Sequence, residues 1–242
     1  MAHPKFCTAG STAALKYAAA TLWADGWEYD ASAKILLLPV PSFDSDGRIM
    51  GGGRLEDCLT DDTIVFGGHL NHKALDGHIC IDLLQDHRYL AENAAITAHC
   101  ALRYALEGSP AILQDSCVLV VGWGRIGKCL SDLLKKLGAK VSIYARKESD
   151  RAMAVALGFD AVDDLSTEDL SKYTIIYNTV PQMLLPEGML SIEQIKIDLA
   201  SHPGIGGKDV IWARGLPNKD APKSSGQLIA KTVERLGKEF LP

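Results

Sequence analysis

The sequence predicts an α/β protein: a doubly wound parallel sheet with a second, smaller α/β domain. Three observations predict it. Strand-sized and helix-sized apolar patterns alternate through the C-terminal half. A glycine-rich turn joins one of those strands directly to an amphipathic helix. A long alanine-rich stretch separates that half from a first segment with fewer regular elements. At 242 residues and 47% apolar composition, the chain has room for one large core or two small ones.

In chain order, residues 6–9, 34–40, 63–66 and 78–81 read as strands, and 12–22 as a helix between the first two. Residues 44–54 hold Gly47 and the run Gly51-Gly52-Gly53, which predicts a mobile loop. Residues 89–107 have high helix propensity and are ended by Gly108 and Pro110. The run SCVLVVG at 116–122 is a buried strand. Residues 125–137 form a helix in which Ile126, Leu130, Leu133, Leu134 and Leu137 recur at steps of three and four. A second strand follows at 140–145, then a helix at 150–157 closed by Gly158. Further strands are expected at 173–179 and 196–200, with a shorter candidate at 210–213. The last helix, 226–237, carries Leu228, Ile229, Val233 and Leu236 on one face and is expected to return to the first domain.

The chemistry is carried by Gly122-Trp123-Gly124-Arg125-Ile126-Gly127, a G-x-G-x-x-G pattern between a strand and a helix. The pattern makes the fold Rossmann-type. Gly122 permits the tight turn, Gly124 lets backbone approach a pyrophosphate, and Gly127 lets helix and strand pack closely. The N–H groups at the helix start then hold the diphosphate. The next strand ends in Ala145-Arg146-Lys147, without the acid that accepts ribose hydroxyls in NAD-binding units. Arg146 can clamp a 2′-phosphate with its planar fork and Lys147 adds charge, so the pair points to NADP. Asn178-Thr179-Val180-Pro181 and the run from Asp198 to Gly204 lie at later strand ends, where open α/β sheets bind ligands. The expected division is therefore a substrate (catalytic) domain at 1–88, joined by the C-terminal helix 226–240, and an NADP-binding domain at 89–225 that includes a bridging helix at 89–107. A ligand cleft is expected between them.

Composition narrows the partners. With 25 Lys plus Arg against 30 Asp plus Glu, the net charge is −5, which supplies no long-range field for nucleic acid or anionic membrane. The longest apolar runs are strand-sized, too short to span a bilayer, and the N-terminus lacks a signal-peptide pattern. Six scattered cysteines without a C-x-x-C pair suit reduced, mostly buried thiols rather than disulfides or a metal site. The expectation is a cytoplasmic, metal-free homo-oligomer that takes a small molecule.

Taken together, GWGRIGKCL, YARKES, NTVP, IDLASHPG and GLPNKDAPKSSGQLIA, in this order and spacing, resemble the A subunit of dipicolinate synthase. The resemblance runs from about Tyr89 to Leu236, and the upstream ILLLPVPS resembles the family's strand-and-loop segment at the substrate cleft. It implies oxidation of a cyclic dihydrodipicolinate precursor to dipicolinate with NADP, in dipicolinic acid biosynthesis during sporulation, beside a B subunit. It also implies cofactor contacts from Gly122, Gly124, Arg125, Gly127, Arg146, Asn178, Thr179 and Pro181, to which motif position adds Trp123, Ile126, Lys147 and Val180. Ser201 would lie near the reaction centre. Pro222 to Gly226 would match the family's A-P-x-T-A-G segment. Two departures touch the substrate side: Phe6-Cys7-Thr8-Ala9-Gly10 lacks the family's glycine-aspartate start and following arginine, and His99 stands where the family tends to have an acid.

A dicarboxylate calls for cations, hydroxyls and helix N-termini. Arg48 and Arg54 flank the glycine-rich loop, and Lys223, Ser224 and Ser225 precede the final helix. These groups, with Ser42 from the facing domain, are the candidate substrate contacts. Among the seven histidines, His202 has the best position for a general base, directly after a strand end; His69 follows Gly67-Gly68 at another. Two alternatives stay open. A D-isomer-specific 2-hydroxyacid dehydrogenase shares the bridging helix and glycine turn, although no E-x-x-x-x-H pair follows the strand at 173–179. A non-catalytic NADP-binding regulatory subunit would keep the turn alone.

Overall fold

The computed structural model describes residues 3–240. In chain order the elements are β1 (Lys5–Thr8), α1 (Ala13–Ala24), β2 (Glu28–Tyr29), β3 (Ile35–Leu37), β4 (Ile64–Gly67), β5 (Ile79–Asp82) and α2 (His87–Gly108). They continue with β6 (Cys117–Val121), α3 (Arg125–Lys136), β7 (Lys140–Tyr144), α4 (Glu148–Ala156), β8 (Asp160–Val162), β9 (Ile175–Asn178), β10 (Ile195–Asp198) and β11 (Ile211–Trp212). Two helices, α5 (Leu216–Asp220) and α6 (Pro222–Gly237), close the series. The α/β class holds, with two separate parallel sheets. The short strands β2 and β8 were not anticipated; two or three residues carry no readable period.

The chain divides into two compact units, Met1–Asn93 with Pro217–Pro242, and Ala94–Leu216. The first division falls inside α2, between Asn93 and Ala94, rather than before residue 89. The second falls at 216/217 rather than 225/226, because α5 is tied to the first unit: the Asn218 amide donates to the Val40 carbonyl at 2.5 Å and accepts from Ser225 Oγ at 3.0 Å.

In the first unit the sheet order is β2-β1-β3-β4-β5, all parallel. Alternation sorts its side chains. Cys7, Ala9, Leu36, Leu38 and Val65 enter one core with Ile49, Leu55, Leu70 and Leu75 from the loops. α1 begins at Thr12, whose hydroxyl caps Leu15 N at 3.2 Å. α6 lies along α1, as its apolar face predicts. Gly226 sits at that contact, where a Cβ would come within 2.5 Å of the Ala14 carbonyl oxygen and of Tyr17 Cβ.

In the second unit the order β8-β7-β6-β9-β10-β11 is the doubly wound arrangement, reversing between β6 and β9. Leu119, Val121, Val162 and Ile176 build the core of one face with Leu165, Leu170, Tyr173, Leu185 and Ile205. Tyr177 points to the opposite face, where its hydroxyl reaches the Ala101 carbonyl of α2 at 3.3 Å. Among the described residues no helix is long and apolar enough to cross a membrane, and no cysteine is in a disulfide. Cys7 and Cys100 are buried, but Cys80 is exposed, so the expectation of buried thiols holds only in part. Burial, with the Cys58 and Asp30 charges, pushes the Cys7 thiol up to about 11.

Candidate functional site

The second unit's sheet reverses between β6 and β9, and a crevice opens there beyond the carboxyl ends of the strands. Its wall is the glycine turn. Gly122 has φ +109°, and a Cβ there would strike Thr179 Oγ1; a Cβ on Gly127 would strike the Gly122 carbonyl oxygen. Gly124 differs: a Cβ would meet no described atom within 4 Å. The two flanking glycines are thus needed for the turn itself, while the middle one faces open space. Gly124 also caps α3 with no side-chain hydrogen bond, so the helix keeps its first N–H groups for an outside acceptor.

A pocket of about 230 Å³ adjoins this turn, lined by Gly122, Trp123, Ala145, Arg146, Lys147 and Val180 among others. Arg146 and Lys147 are exposed, and among the described residues neither has an ion pair, as is also true of Arg125. Arg151 was missed in the sequence: its guanidinium holds the Ala145 and Arg146 carbonyls at 2.8 and 2.9 Å and so fixes the cationic turn. Tyr144, Asp150, Gln182 and Leu184, also unanticipated, complete the lining. The open glycine, uncapped N–H groups and unpaired cations fit a pyridine dinucleotide: the turn and α3 would hold its diphosphate, with Arg146 and Lys147 toward its adenosine end.

Asn178 and Thr179 act one layer behind this pocket. The Asn178 amide donates to Val180 O at 2.9 Å and to Asp198 Oδ1 at 2.8 Å, and its oxygen accepts from Val180 N at 3.1 Å. The side chain is buried and its amide is engaged within the fold. Thr179 Oγ1 donates to Val121 O at 3.0 Å and props the glycine turn. Val180 lines the pocket; Pro181 is exposed beside it, and Ile126 is half-buried on the first turn of α3.

The loop after β10 is organised by Asp198, 1% exposed. Its carboxylate also accepts from Ala200 N at 3.0 Å, Gly204 N at 2.6 Å and Ile205 N at 3.0 Å. The Trp212 indole donates to Ala200 O at 3.1 Å from the neighbouring strand. This framework leaves Ser201 and His202 exposed, with Ser201 Oγ 3.3 Å from His202 Nδ1. The signal for Asp198 was present, an acid ending a buried strand, but its partners are backbone groups that only the folded loop brings near.

The candidate substrate contacts lie in the first unit. Arg48 and Arg54 are exposed, each beside an acid of its own loop: Arg48 is 3.6 Å from Asp46 and Arg54 3.8 Å from Glu56. Lys223 and Ser224 are exposed, yet they lie inside the first turn of α6 rather than before it, because Pro222 starts the helix. The hydroxyls of Ser42 and Ser225, the other candidate substrate contacts, are already bonded within the first unit. Ser42 is fully buried, donating to Pro39 O at 2.8 Å and accepting from Gly68 N at 3.0 Å. Ser225 is spent on Asn218. His69 stands exposed at φ +58°, its N–H bonded to Asp82 at 3.0 Å. Among the described residues no group of three or more His, Cys, Asp or Glu could hold a metal ion.

No protein-family model matches the chain. The A subunit of dipicolinate synthase from Bacillus subtilis (strain 168) is 31% identical to it over 159 residues, which cover 60% of this chain and 52% of that protein. Over that stretch the chain is similar to the dipicolinate synthase A subunit. The match spans about half the length of that relative. The corresponding dipicolinate synthase chain of Bacillus halodurans shares the fold at a TM-score of 0.81 and 19% identity, covering 96% of this chain and 97% of that one. D-lactate dehydrogenase of Salmonella shares it at a TM-score of 0.64 and 13% identity, covering 99% and 97%. The two-sheet fold is therefore one that dehydrogenases use.

Proposed function

We propose that the chain is an NADP-dependent oxidoreductase that oxidises a cyclic dihydrodipicolinate-type substrate to its aromatic dicarboxylate. The observation that carries the reading is the pair Arg146 and Lys147, unpaired and exposed, on the rim of a pocket beside the glycine turn. A 2′-phosphate satisfies both cations, whereas the ribose hydroxyls of NAD give a guanidinium nothing to neutralise. When bound, the dinucleotide supplies a two-electron acceptor. The protein's part is to hold it: α3 through its N–H groups, the cationic turn through charge, and Val180 by packing. Ser201 and His202, exposed on the Asp198 loop, would orient the substrate and accept a proton in this reading. Arg54, Lys223 and Ser224 are the exposed carboxylate-binding candidates, and a dipicolinate synthase B subunit is the proposed partner.

The test is a coupled assay: aspartate semialdehyde, pyruvate and dihydrodipicolinate synthase, with NADP or NAD and this protein. NADPH and dipicolinate formed together, with NAD far less effective, is the expected outcome. NADPH oxidation by 2-keto acids without dipicolinate would favour the 2-hydroxyacid dehydrogenase reading. Tight NADPH binding with no turnover of either kind would leave a regulatory role.

A further inference from the structure

Asn178 and Asp198 are the last residues of β9 and β10, and they stand opposite each other in the parallel ladder. Both are buried, at 0% and 1% exposure, and both reach past the strand ends into the two loops that follow. Their bonds form one network. The Asn178 amide meets Val180 N and O and donates to Asp198 at 2.8 Å, and Asp198 gathers the N–H groups of Ala200, Gly204 and Ile205. Both amide N–H groups and all four acceptor positions of the carboxylate are thereby taken. A hydrophobic pair would fill the same space but strand five backbone groups of the two loops.

The two ends of this network differ. At one, Val180 lines the pocket beside the glycine turn, its Cγ2 only 2.9 Å from where a Cβ on Gly122 would stand. At the other, Ser201 and His202 stand exposed between two braced positions, Ala200 and Gly204. The loops also touch: a Cβ on Gly204 would lie 2.3 Å from Asn178 Nδ2 and 2.8 Å from Val180 O. A satisfied buried network is rigid, and groups whose work depends on their distance from a bound ligand need such support.

We propose, on the dinucleotide reading of that pocket, that Asn178 is a positioning residue. Through Asp198 it sets the loop carrying Ser201 and His202 from the Val180 wall of the pocket, so that a displacement at either end is felt at the other.

Asn178→Asp keeps the shape and removes both donors. At about pH 5 a proton shared with Asp198, the one titratable group bonded to the amide among the described residues, restores a donor; at about pH 8 two carboxylates face each other. NADPH affinity is read by fluorescence titration. The loop is read by the Trp212 indole ¹H–¹⁵N signal, assigned by its loss in Trp212→Phe, since that indole donates to Ala200 O at 3.1 Å. Each is compared with the parent at the same pH. Near-parent affinity and signal are expected at about pH 5. At about pH 8, NADPH should bind at least about tenfold more weakly and the signal should be displaced, both changes sharing one midpoint. Gly204→Ala, which presses a methyl on the Asn178 amide, should give both changes at either pH and serves if the aspartate variant unfolds. Weakened binding with an unmoved Trp212 signal, or a moved signal with parent-like binding, would overturn the proposal. So would equal losses at both pH values in Asn178→Asp, or variants that match the parent throughout. A parent that binds neither NADPH nor NADH would overturn the dinucleotide reading itself, and this proposal with it.

Discussion

Asp198 draws two backbone amides of one loop onto one of its oxygens and an amide and a side chain onto the other. Asn at this position would turn one acceptor into a donor facing donors. Asp198→Asn is therefore expected to destabilise the protein by about 2–4 kcal/mol, through buried groups left unsatisfied. A thermal melt measures the loss, and Trp212 emission reports whether the loop at Ala200 has moved. Arg146→Ala has a different signature, since the residue is exposed. Stability should hold while NADPH binding weakens by about tenfold or more and NADH binding changes little. Equal losses for both coenzymes in a titration would remove the 2′-phosphate from the argument. At this scale the sequence was legible where spacing dictates backbone, as at Gly122 and Gly127. It was less legible where a hydroxyl or amide has several possible partners. Ser42, Asn178 and Ser225 all read as ligand contacts, and all three are absorbed by carbonyls, amides or carboxylates far away in sequence or across a turn.

α2 begins on Asp86, whose carboxylate accepts from Tyr89 N at 2.7 Å and from Arg235 of α6 at 2.6 Å. Burial works against its ionisation, yet the Tyr89 amide and the Arg235 guanidinium outweigh it and hold the carboxyl below the usual range. A depressed folded pKa stabilises above the unfolded value and loses that effect as pH falls through the folded one. Asp86→Ala should cost about 1–2 kcal/mol near neutral pH. Its difference from the parent should shrink below about pH 4, as read from denaturation at several pH values. Gly226→Ala tests the α1–α6 contact. Alanine favours helix by about 1 kcal/mol, but its Cβ would sit 2.7 Å from Ala18 N as well as on Ala14. Overpacking of about 1–3 kcal/mol should win and lower Tm. Long elements with a clear period, such as α3 and β6, were readable to within a residue or two. α5 was not, because five residues including a proline show neither period nor cap until they pack.

For the molecule as a whole, the nucleotide reading predicts a localised response. NADPH should slow amide exchange over residues 122–127 and 145–151 and raise the melting temperature in proportion to the logarithm of its concentration. Protection elsewhere with none at these segments would count against it. The sheet orders were within reach of sequence only in part: alternation announced parallel strands, whereas the two-segment composition of the first unit depends on α6 finding α1 from more than 190 residues away.

That return has a consequence for synthesis. A ribosome releases β1 to β5 long before α6 exists, so the apolar side of α1 must wait, exposed, while the second sheet is made and completed. The unit begun before the second sheet is closed only after it, and its window of vulnerability to proteases and aggregation is the time taken to translate everything between.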